Sequence, residues 1–428
     1  MITARWMAFL LTDHVIATFL LFSVSAQDAN WTHFRGSNLD GISTEVNVPV
    51  HWSDSTHIRW KTPVHGKGWS SPVIFGDQIW ITSAEEDGSG MYGICLDKNS
   101  GKILFDKKLM DPDTVFDKHS LNSYATPTPC IEAGFVYLHF GNYGTFCLKT
   151  EDASLVWKRT DFSCDYIQGP ASSPILYKDL LILHYEGIDV QYIVALDKKN
   201  GSQVWKTDRP KECYDPLEPI GKKAYTTPLI IRVDGKDLLI SNGSAVCIAY
   251  DPETGEEIWR IVHGEDSTIA MPFFEDGILY FYSSFITPPE GEKFAELFAV
   301  NPDGKGNIKE THVIWRYQSP ILQLLTPVIK DGLIYTIDTR SNLICLDAKS
   351  GTIVWSEKMK GVFNSSPVYA GGNLYFSTTK GITVVIKEGR KPEFLAENKL
   401  KGEIWATPAI LDKSIIIRTS DYLYRISE

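Results

Sequence analysis

Short apolar runs alternate with polar turns along the chain, and the same arrangement recurs in eight copies. A run of β-branched and aromatic residues is followed by a turn with Gly, Asp or Lys and then by a second run, such as Leu180 to His184 or Leu333 to Ile337. Runs of this length without a helical period predict β-strands. A small residue or methionine followed by proline opens each copy: Ser71-Pro72, Thr126-Pro127, Ser173-Pro174, Thr227-Pro228, Met271-Pro272, Thr326-Pro327, Ser366-Pro367 and Thr407-Pro408.

A turn after the third strand is the most specific local signal. Four copies, at residues 97–101, 197–201, 251–255 and 347–351, align without gaps and run from Asp to Gly. The aspartate side chain caps such a turn, and glycine accepts the positive φ that reverses the chain. An aromatic residue stands four positions after each glycine: Phe105, Trp205, Trp259 and Trp355. In the less regular copies we assign the same role to Trp157, Trp315 and Phe394.

The two ends of the repeat array predict how it closes. After Pro408 only 20 residues remain, enough for three strands, while an extra strand containing Trp60 lies at residues 58–61, ahead of the first proline. Pairing that strand with the last copy, residues 405–427, removes two exposed sheet edges. The sequence therefore predicts an all-β fold, an eight-bladed β-propeller of four-stranded antiparallel blades over residues 27–428. Its ring is closed by the N-terminal strand.

The first 26 residues do not fit the repeat. An apolar run from Val15 to Phe22 ends in Val24-Ser25-Ala26, which has small residues where a signal peptidase cleaves. Asp13 and His14 interrupt the span that a membrane anchor needs. We interpret residues 1–26 as a cleaved signal peptide without a lipid-accepting cysteine. We expect a periplasmic or secreted monomer that has no membrane span after processing.

Charge and cysteine placement narrow the classes of partner. The net charge is −11 and no basic cluster is present, so nucleic acid is not an expected partner. Cys95, Cys147 and Cys345 fall at one repeat position where other copies carry alanine, which predicts a slot for a small apolar side chain. Cys164 and Cys213 fall in predicted loops, and the sequence leaves their pairing open.

Several motifs together resemble a known repeat family. The Pro-led blade, the Leu-Asp-x-x-Ser/Thr-Gly-x-x-x-Trp turn and the segments Trp31 to Gly36 and Gly68 to Pro72 resemble the pyrroloquinoline-quinone-like (PQQ-like) propeller repeat, over roughly residues 31 to 427. Within it the chain is similar to exported bacterial BamB-like proteins. This resemblance implies a propeller. It also implies a protein or peptide partner in the cell envelope, although the superfamily contains quinoprotein dehydrogenases as well.

The loops between blades are long, whereas the turns at the opposite face are tight, so we expect any ligand to enter over the central channel at the long-loop face. Side chains just ahead of each first strand ring that mouth. Two indoles and several amides among them suit a planar or sugar-like ligand, but they also suit a mouth that is merely filled and hydrated. The candidate ligand site comprises Lys67, Trp69, His119, Asn122, Tyr124, Gln168, Tyr225, Gln323, Asn364 and Trp405.

Signatures of catalysis are weak. No two cysteines are adjacent, as the quinoprotein family's disulfide would require, and no calcium cluster or Cys-x-x-Cys-His motif stands out. His139 and His184 fall inside predicted second strands, where a packed or channel-side histidine is expected rather than a metal ligand. Carboxylates near the mouth suit glycan cleavage if two of them pair and a solvated acidic rim if they do not: Glu85, Glu86, Asp87 and Glu186.

Three functions follow from these observations. We favour a non-catalytic binding or scaffold protein for protein or peptide ligands at the channel mouth, with no catalytic residues, cofactor or metal. One alternative is a PQQ-dependent sugar or alcohol dehydrogenase, which would need the quinone and calcium. The other is a propeller that binds or cleaves carbohydrate through a small sugar-like ligand.

Overall fold

The computed structural model describes residues 30–319 and 323–428, so the predicted signal peptide, residues 1–26, lies outside the described residues. Eight antiparallel sheets of four strands each form the blades of a β-propeller, and in blades 1 to 7 these four strands follow chain order from the inside outwards. The fold class predicted from the repeat is confirmed. Short segments add a parallel fifth strand to blade 4 (Gly306–Asn307) and to blade 7 (Ile42–Ser43).

The strands of each blade are short and contain three to eight residues each. Blades 1 to 4 comprise Val73–Phe75, Gln78–Ala84, Met91–Asp97 and Ile103–Met110; Cys130–Glu132, Phe135–His139, Thr145–Lys149 and Leu155–Arg159; Ile175–Tyr177, Leu180–Glu186, Gln191–Asp197 and Gln203–Asp208; and Leu229–Val233, Lys236–Asn242, Val246–Tyr250 and Glu257–Val262. Blades 5 to 8 comprise Phe273–Glu275, Ile278–Tyr282, Ala295–Val300 and Val313–Ser319; Val328–Lys330, Leu333–Ile337, Asn342–Asp347 and Ile353–Lys358; Val368–Ala370, Asn373–Ser377, Ile382–Lys387 and Glu393–Lys399; and Ala409–Leu411, Ser414–Arg418, Tyr422–Ser427 and Ile58–Pro63. Helical turns lie at Gly141–Tyr143, Lys211–Tyr214, Pro219–Lys222 and Lys309–His312.

The ring closes as the counting predicts. Ile58–Pro63 pairs antiparallel with Tyr422–Ser427, which places Lys61 opposite Tyr424 and Trp60 opposite Arg425. The N-terminal strand is therefore the outer strand of blade 8. Closure removes the free edges that an open stack of blades would present to solvent.

A recurring tryptophan contact joins neighbouring blades. The indole N–H of Trp60 donates to the carbonyl oxygen of Lys98 at 2.9 Å, and Trp157 makes the same bond to Lys198. Trp205, Trp259, Trp315 and Trp355 repeat it with the following blades at 2.9 to 3.2 Å. Several of the turn glycines lie flat against these indoles. The Asp-to-Gly turn is thus both a reversal and a docking surface for the preceding blade.

Two turn glycines with similar backbone conformations allow chain reversal to be distinguished from docking of the indole. A β-carbon at Gly255 would lie 2.5 Å from the Trp205 ring, whereas one at Gly277 would meet no atom within 4 Å; their φ values are +72° and +81°. Both substitutions to alanine pay the left-handed cost of about 1 kcal/mol. We expect Gly255→Ala to lower the free energy of unfolding by a further ~1–3 kcal/mol, because it overpacks the indole. Urea denaturation of both variants measures the difference, and equal losses would contradict the docking role.

The structure corrects two repeat assignments. The first strand of blade 2 begins at Cys130, directly after Pro129, so Thr128-Pro129 rather than Thr126-Pro127 is the opening pair. The two Thr-Pro pairs lie side by side in the sequence, and spacing alone does not separate them. In blade 7, Ala396 lies opposite Val385 at the position of the closing aromatic, while Phe394 pairs with Ile386 and is 49% exposed.

The repeat position predicted to hold a small apolar side chain faces the closing aromatic residue of the blade. Cys95, Cys147 and Cys345 lie directly opposite the closing aromatics of their blades, and Ala195 lies opposite Trp205 in the same register. A small side chain leaves room there for the aromatic ring. All seven cysteines are free, including Cys164 and Cys213, whose pairing the sequence left open.

An N-terminal segment, residues 30–43, plugs the channel from the tight-turn face. Trp31 exchanges backbone hydrogen bonds with Ile74 of blade 1, and the carbonyl of Thr32 accepts from Ile131 of blade 2. His33 Nε2 accepts the N–H of Leu176 in blade 3, and Ile42–Ser43 pairs with blade 7. This plug segment therefore contacts the innermost strands on opposite sides of the ring.

Buried neutral histidines make the fold sensitive to acid. Burial lowers the pKa of His33 to about 4, and of His139 and His263 to about 3, from 6.5. Below pH 6.5 the unfolded chain therefore binds protons that the folded chain does not, so the free energy of unfolding falls as the pH drops from 6.5 towards 4. Denaturant titrations across this range measure the slope. A slope reduced by His263→Gln but not by exposed His51→Gln is expected; a flat profile would contradict it.

Candidate functional site

A cavity of about 390 Å³ opens on the channel axis at the long-loop face. Its floor is Phe34 of the plug segment, and its rim includes Trp69, Leu121 and Trp405. The plug seals the opposite end, so the cavity is a blind pocket rather than a pore. Its volume lies within the usual range for small-molecule sites.

Seven hydroxyl side chains from successive blades encircle the cavity. Each oxygen accepts the backbone N–H of the equivalent residue in the preceding blade, at 2.9 to 3.2 Å. The ring has one gap, between Thr227 and Met271, because methionine has no hydroxyl. We call these residues the hydroxyl ring: Ser71, Thr128, Ser173, Thr227, Thr326, Ser366 and Thr407.

The small-residue-then-proline signal explains this ring. Proline has no backbone N–H and therefore cannot donate a hydrogen bond to a neighbouring strand. Each first strand consequently begins directly after its proline. The residue before it stands at the strand entrance on the channel wall, where its hydroxyl accepts a hydrogen bond from the backbone of the preceding blade. The pairs that defined the repeat in the sequence therefore supply the cavity wall.

Seven of the ten predicted site residues line the cavity: Trp69, His119, Asn122, Gln168, Tyr225, Asn364 and Trp405. The rings of Trp69 and Trp405, from the first and last blades, stack with centroids 4.9 Å apart and planes 14° apart. Asn122 is committed to the loops, since its Nδ2 donates to the carbonyl of Gln168 at 2.8 Å. The side-chain amides of Gln168 and Asn364 have no hydrogen-bond partner among the described residues and remain available to a ligand.

Three predicted residues do not line this cavity. Lys67 pairs with Glu86 at 3.1 Å on the rim. Tyr124 is buried beside Tyr143 and donates its hydroxyl to the carbonyl of Phe116 at 3.1 Å. Gln323 is buried and donates to the carbonyl of Ile337 at 2.7 Å. Position ahead of a first strand placed them near the mouth, but their side chains support loops or strands instead.

Sequence reasoning missed Phe34 and the plug segment. In the sequence, the segment Trp31 to Gly36 supports only the family resemblance, although it contains aromatic residues and belongs to none of the predicted blades. That unassigned aromatic run was the available signal. Its partners are far away in the sequence, so local spacing does not reveal that it fills the channel.

One carboxylate lies buried instead of on a solvated rim. Glu186 is fully buried, and its Oε2 lies 2.7 Å from Arg209 Nε and 2.7 Å from His184 Nε2. Its Oε1 accepts from the backbone N–H of Ser244 at 2.6 Å and from the hydroxyl of Tyr214. Burial alone would raise the pKa of Glu186, but the charge of Arg209 and the hydrogen bond from His184 lower it to about 2. This carboxylate stays ionised and holds blades 3 and 4 together.

The other mouth carboxylates are engaged at the rim and outside the cavity. Glu85 accepts from the Tyr92 hydroxyl at 2.9 Å, and Asp87 accepts from the backbone N–H of Ser89 at 2.9 Å. In residues 30–319 and 323–428 no group of three His, Cys, Asp or Glu side chains is placed to hold a metal ion. The same ranges contain no helix long and apolar enough to cross a membrane.

Comparisons with known proteins place the chain in one family. The sequence profile described as outer membrane protein assembly factor BamB matches residues 52–212, 190–307 and 305–391. The quinohemoprotein alcohol dehydrogenase of Pseudomonas putida is 24% identical over 56% of this chain, which covers 33% of that protein. BamB of Yersinia pestis is 19% identical over 55% of this chain and 69% of its own length.

A solved structure adds support for the fold. The quinohemoprotein alcohol dehydrogenase of Comamonas testosteroni has a TM-score of 0.68 and 12% identity, over 94% of this chain and 81% of that one. This likeness shows the propeller alone, since dehydrogenases and assembly factors share it. With matched segments reaching from residue 52 to residue 391, the chain belongs to the BamB family of PQQ-like propeller repeat proteins.

Proposed function

We propose that this protein is an exported, non-catalytic binding protein that holds a protein or peptide partner of the cell envelope at its channel mouth. The observation that carries the proposal is the blind cavity at the long-loop face, whose floor is the chain's own plug segment. Loops presented by a rigid ring around a concave site are a common arrangement for recognition. The BamB relatives, described as assembly factors, agree with a partner of this kind.

The lining residues do not fit a quinone cofactor. Pyrroloquinoline quinone carries several carboxylates, which need cationic partners, and its calcium ion needs oxygen ligands that include carboxylates. Among the described residues, the cavity lining includes no lysine, arginine, aspartate or glutamate. The resemblance to dehydrogenases is therefore one of fold in this proposal, and no redox step is assigned to the chain.

A pull-down from cell-envelope extract tests the proposal. The full mature chain should recover a partner, and Trp405→Ala, which removes the half-buried indole at the rim, should reduce recovery at least about tenfold. The control is Phe394→Ala, which removes a more exposed aromatic, 49% exposed, on the outer strand of blade 7 and away from the mouth. Recovery that is unchanged in Trp405→Ala would count against the mouth as the binding site.

A second function, carbohydrate binding, is favoured by one specific observation. The indole of Trp405 lines the same cavity as two uncommitted amides, Gln168 and Asn364, and aromatic faces with neutral amides suit a sugar ring. Binding on a glycan array that Trp405→Ala abolishes would support this alternative. An array without signal, together with a recovered protein partner, would exclude it.

A further inference from the structure

The hydroxyl ring has unused hydrogen-bond donors. Each of its seven oxygens already accepts a backbone N–H, and in the described part of the chain none of its O–H groups donates to a protein oxygen. A hydroxyl can donate and accept at the same time. The cavity wall therefore offers a belt of donors that a ligand with oxygen acceptors would satisfy.

The surroundings of this belt exclude charge. Within residues 30–319 and 323–428, no Lys, Arg, Asp or Glu side chain lines the cavity. The buried cation of the plug, Arg35, is engaged with the protein, because its two Nη atoms donate to four backbone carbonyls, those of Thr326, Pro327, Pro367 and Asp40, while its Nε has no partner in the described part of the chain. A charged group brought into this cavity would lose its hydration without gaining an opposite charge, which is strongly unfavourable.

Apolar side chains also line the cavity, beside the uncharged amides of Gln168 and Asn364. Phe34 forms the floor, Leu121 lies on the rim, and Ile269 and Leu324 are further aliphatic residues of the lining. Aliphatic side chains on several sides suit an aliphatic or aromatic group better than a polyhydroxylated ring, whose hydroxyls would face carbon on those sides. Oxygen acceptors beside an apolar group occur together in a peptide, as a side chain flanked by its backbone carbonyls.

We propose that the cavity receives one uncharged apolar side chain from an extended segment of the partner, and that the segment's backbone carbonyls accept hydrogen bonds from the hydroxyl ring. This inference rests on the proposed function and names the chemistry that the mouth selects. The hydroxyl ring requires a ligand with hydrogen-bond acceptors, and the uncharged wall selects an uncharged side chain over a charged one.

Capped Gly-Ser-X-Ser-Gly peptides test the selectivity, with leucine, aspartate or lysine at X. Calorimetry with the full mature chain should give the leucine peptide a dissociation constant at least about tenfold below those of the aspartate and lysine peptides. Its binding should change the tryptophan fluorescence through Trp69 and Trp405. Equal affinities, tighter binding of a charged peptide, or no binding by any of the three would overturn the inference.

Variants of the ring test the donors. Thr227→Val and Thr326→Val each remove one hydroxyl while keeping the shape, and each should weaken the leucine peptide about threefold to tenfold. Thr227→Ser and Thr326→Ser keep the hydroxyl and should bind as the parent does. Thermal melting of all four checks folding, and two positions guard against one that fails to fold. Valine variants that fold and bind with parental affinity would overturn the role of the ring.

The two proposals fail separately. If the pull-down recovers a partner through Trp405 but charged peptides bind best, only the inferred chemistry falls. If no partner depends on Trp405 but the leucine peptide binds selectively, the cavity chemistry stands without the envelope partner. Binding of an oligosaccharide such as maltotriose in place of every peptide would overturn the inference in favour of the carbohydrate alternative.

Discussion

Replacing Arg209 with methionine is expected to lower the free energy of unfolding by about 3–5 kcal/mol, because it leaves Glu186 as an uncompensated buried charge. Both side chains are fully buried, with Arg209 Nε 2.7 Å from Glu186 Oε2. Arg209 Nη2 also donates to the hydroxyl of Ser241 at 2.7 Å. The loss of stability comes as much from the unpaired Glu186 carboxylate as from the lost ion pair with Arg209. Denaturant titration at pH 7 measures it.

The surroundings of Glu186 leave little room for relaxation. A β-carbon on Gly243 would lie 2.6 Å from its carboxylate oxygens, so backbone packs directly against the charge. Water therefore has no easy route to replace the guanidinium. Arg232→Met is the control, since Arg232 pairs with Asp237 on the exposed part of the neighbouring blade 4 and should change stability by less than about 1 kcal/mol.

The double variant Glu186→Gln/Arg209→Met separates charge from shape. Removing both charges should recover part of the loss seen in Arg209→Met alone, because no isolated ion remains buried. A double variant as unstable as the sum of its single variants would show that the two side chains act independently. A loss below about 1 kcal/mol in Arg209→Met would contradict the buried-charge account outright.

Local sequence signals predicted those parts of the molecule whose partners lie at a fixed offset. The turn from Asp97 to Gly101 and the aromatic four residues later sit on adjacent strands, so periodicity locates them. Ring closure was predictable by counting strands, because the missing fourth strand of the last copy matches a surplus strand around Trp60. Where two Thr-Pro pairs stand together, at residues 126–129, the period has no power to choose between them.

Local sequence signals did not predict the features whose partners lie far away in the sequence. Glu186 at the end of a second strand has the sequence appearance of a rim carboxylate, and only the loop carrying Arg209 and Tyr214 buries it. Of the predicted site residues, those whose side chains point to the axis, such as Trp69 and Trp405, line the cavity. Gln323 stands at a comparable position but satisfies backbone carbonyls, and side-chain direction there follows from tertiary packing.

Arg35→Met is expected to release the plug segment and to lower the free energy of unfolding by at least about 3 kcal/mol. The buried guanidinium donates to the carbonyls of Pro327 at 2.7 Å and Pro367 at 2.9 Å, in blades 6 and 7. It also donates to Thr326 and Asp40, and each charge-assisted bond contributes about 1.5–3 kcal/mol. Burial lowers the pKa of Arg35 to about 10, so the group stays charged at neutral pH.

The consequence of Arg35→Met should reach the cavity, because Phe34 is its floor and is the neighbouring residue. Limited proteolysis should cut the variant near residues 30–43 while the blades stay intact, and the variant should lose the tryptophan fluorescence change on addition of the capped leucine peptide. Arg59→Met is the control: Arg59 is exposed on the closing strand and should leave stability and cleavage unchanged. If Arg35→Met resists proteolysis and keeps parental stability, the plug is held by its backbone pairing with Ile74 and blade 7 rather than by the guanidinium.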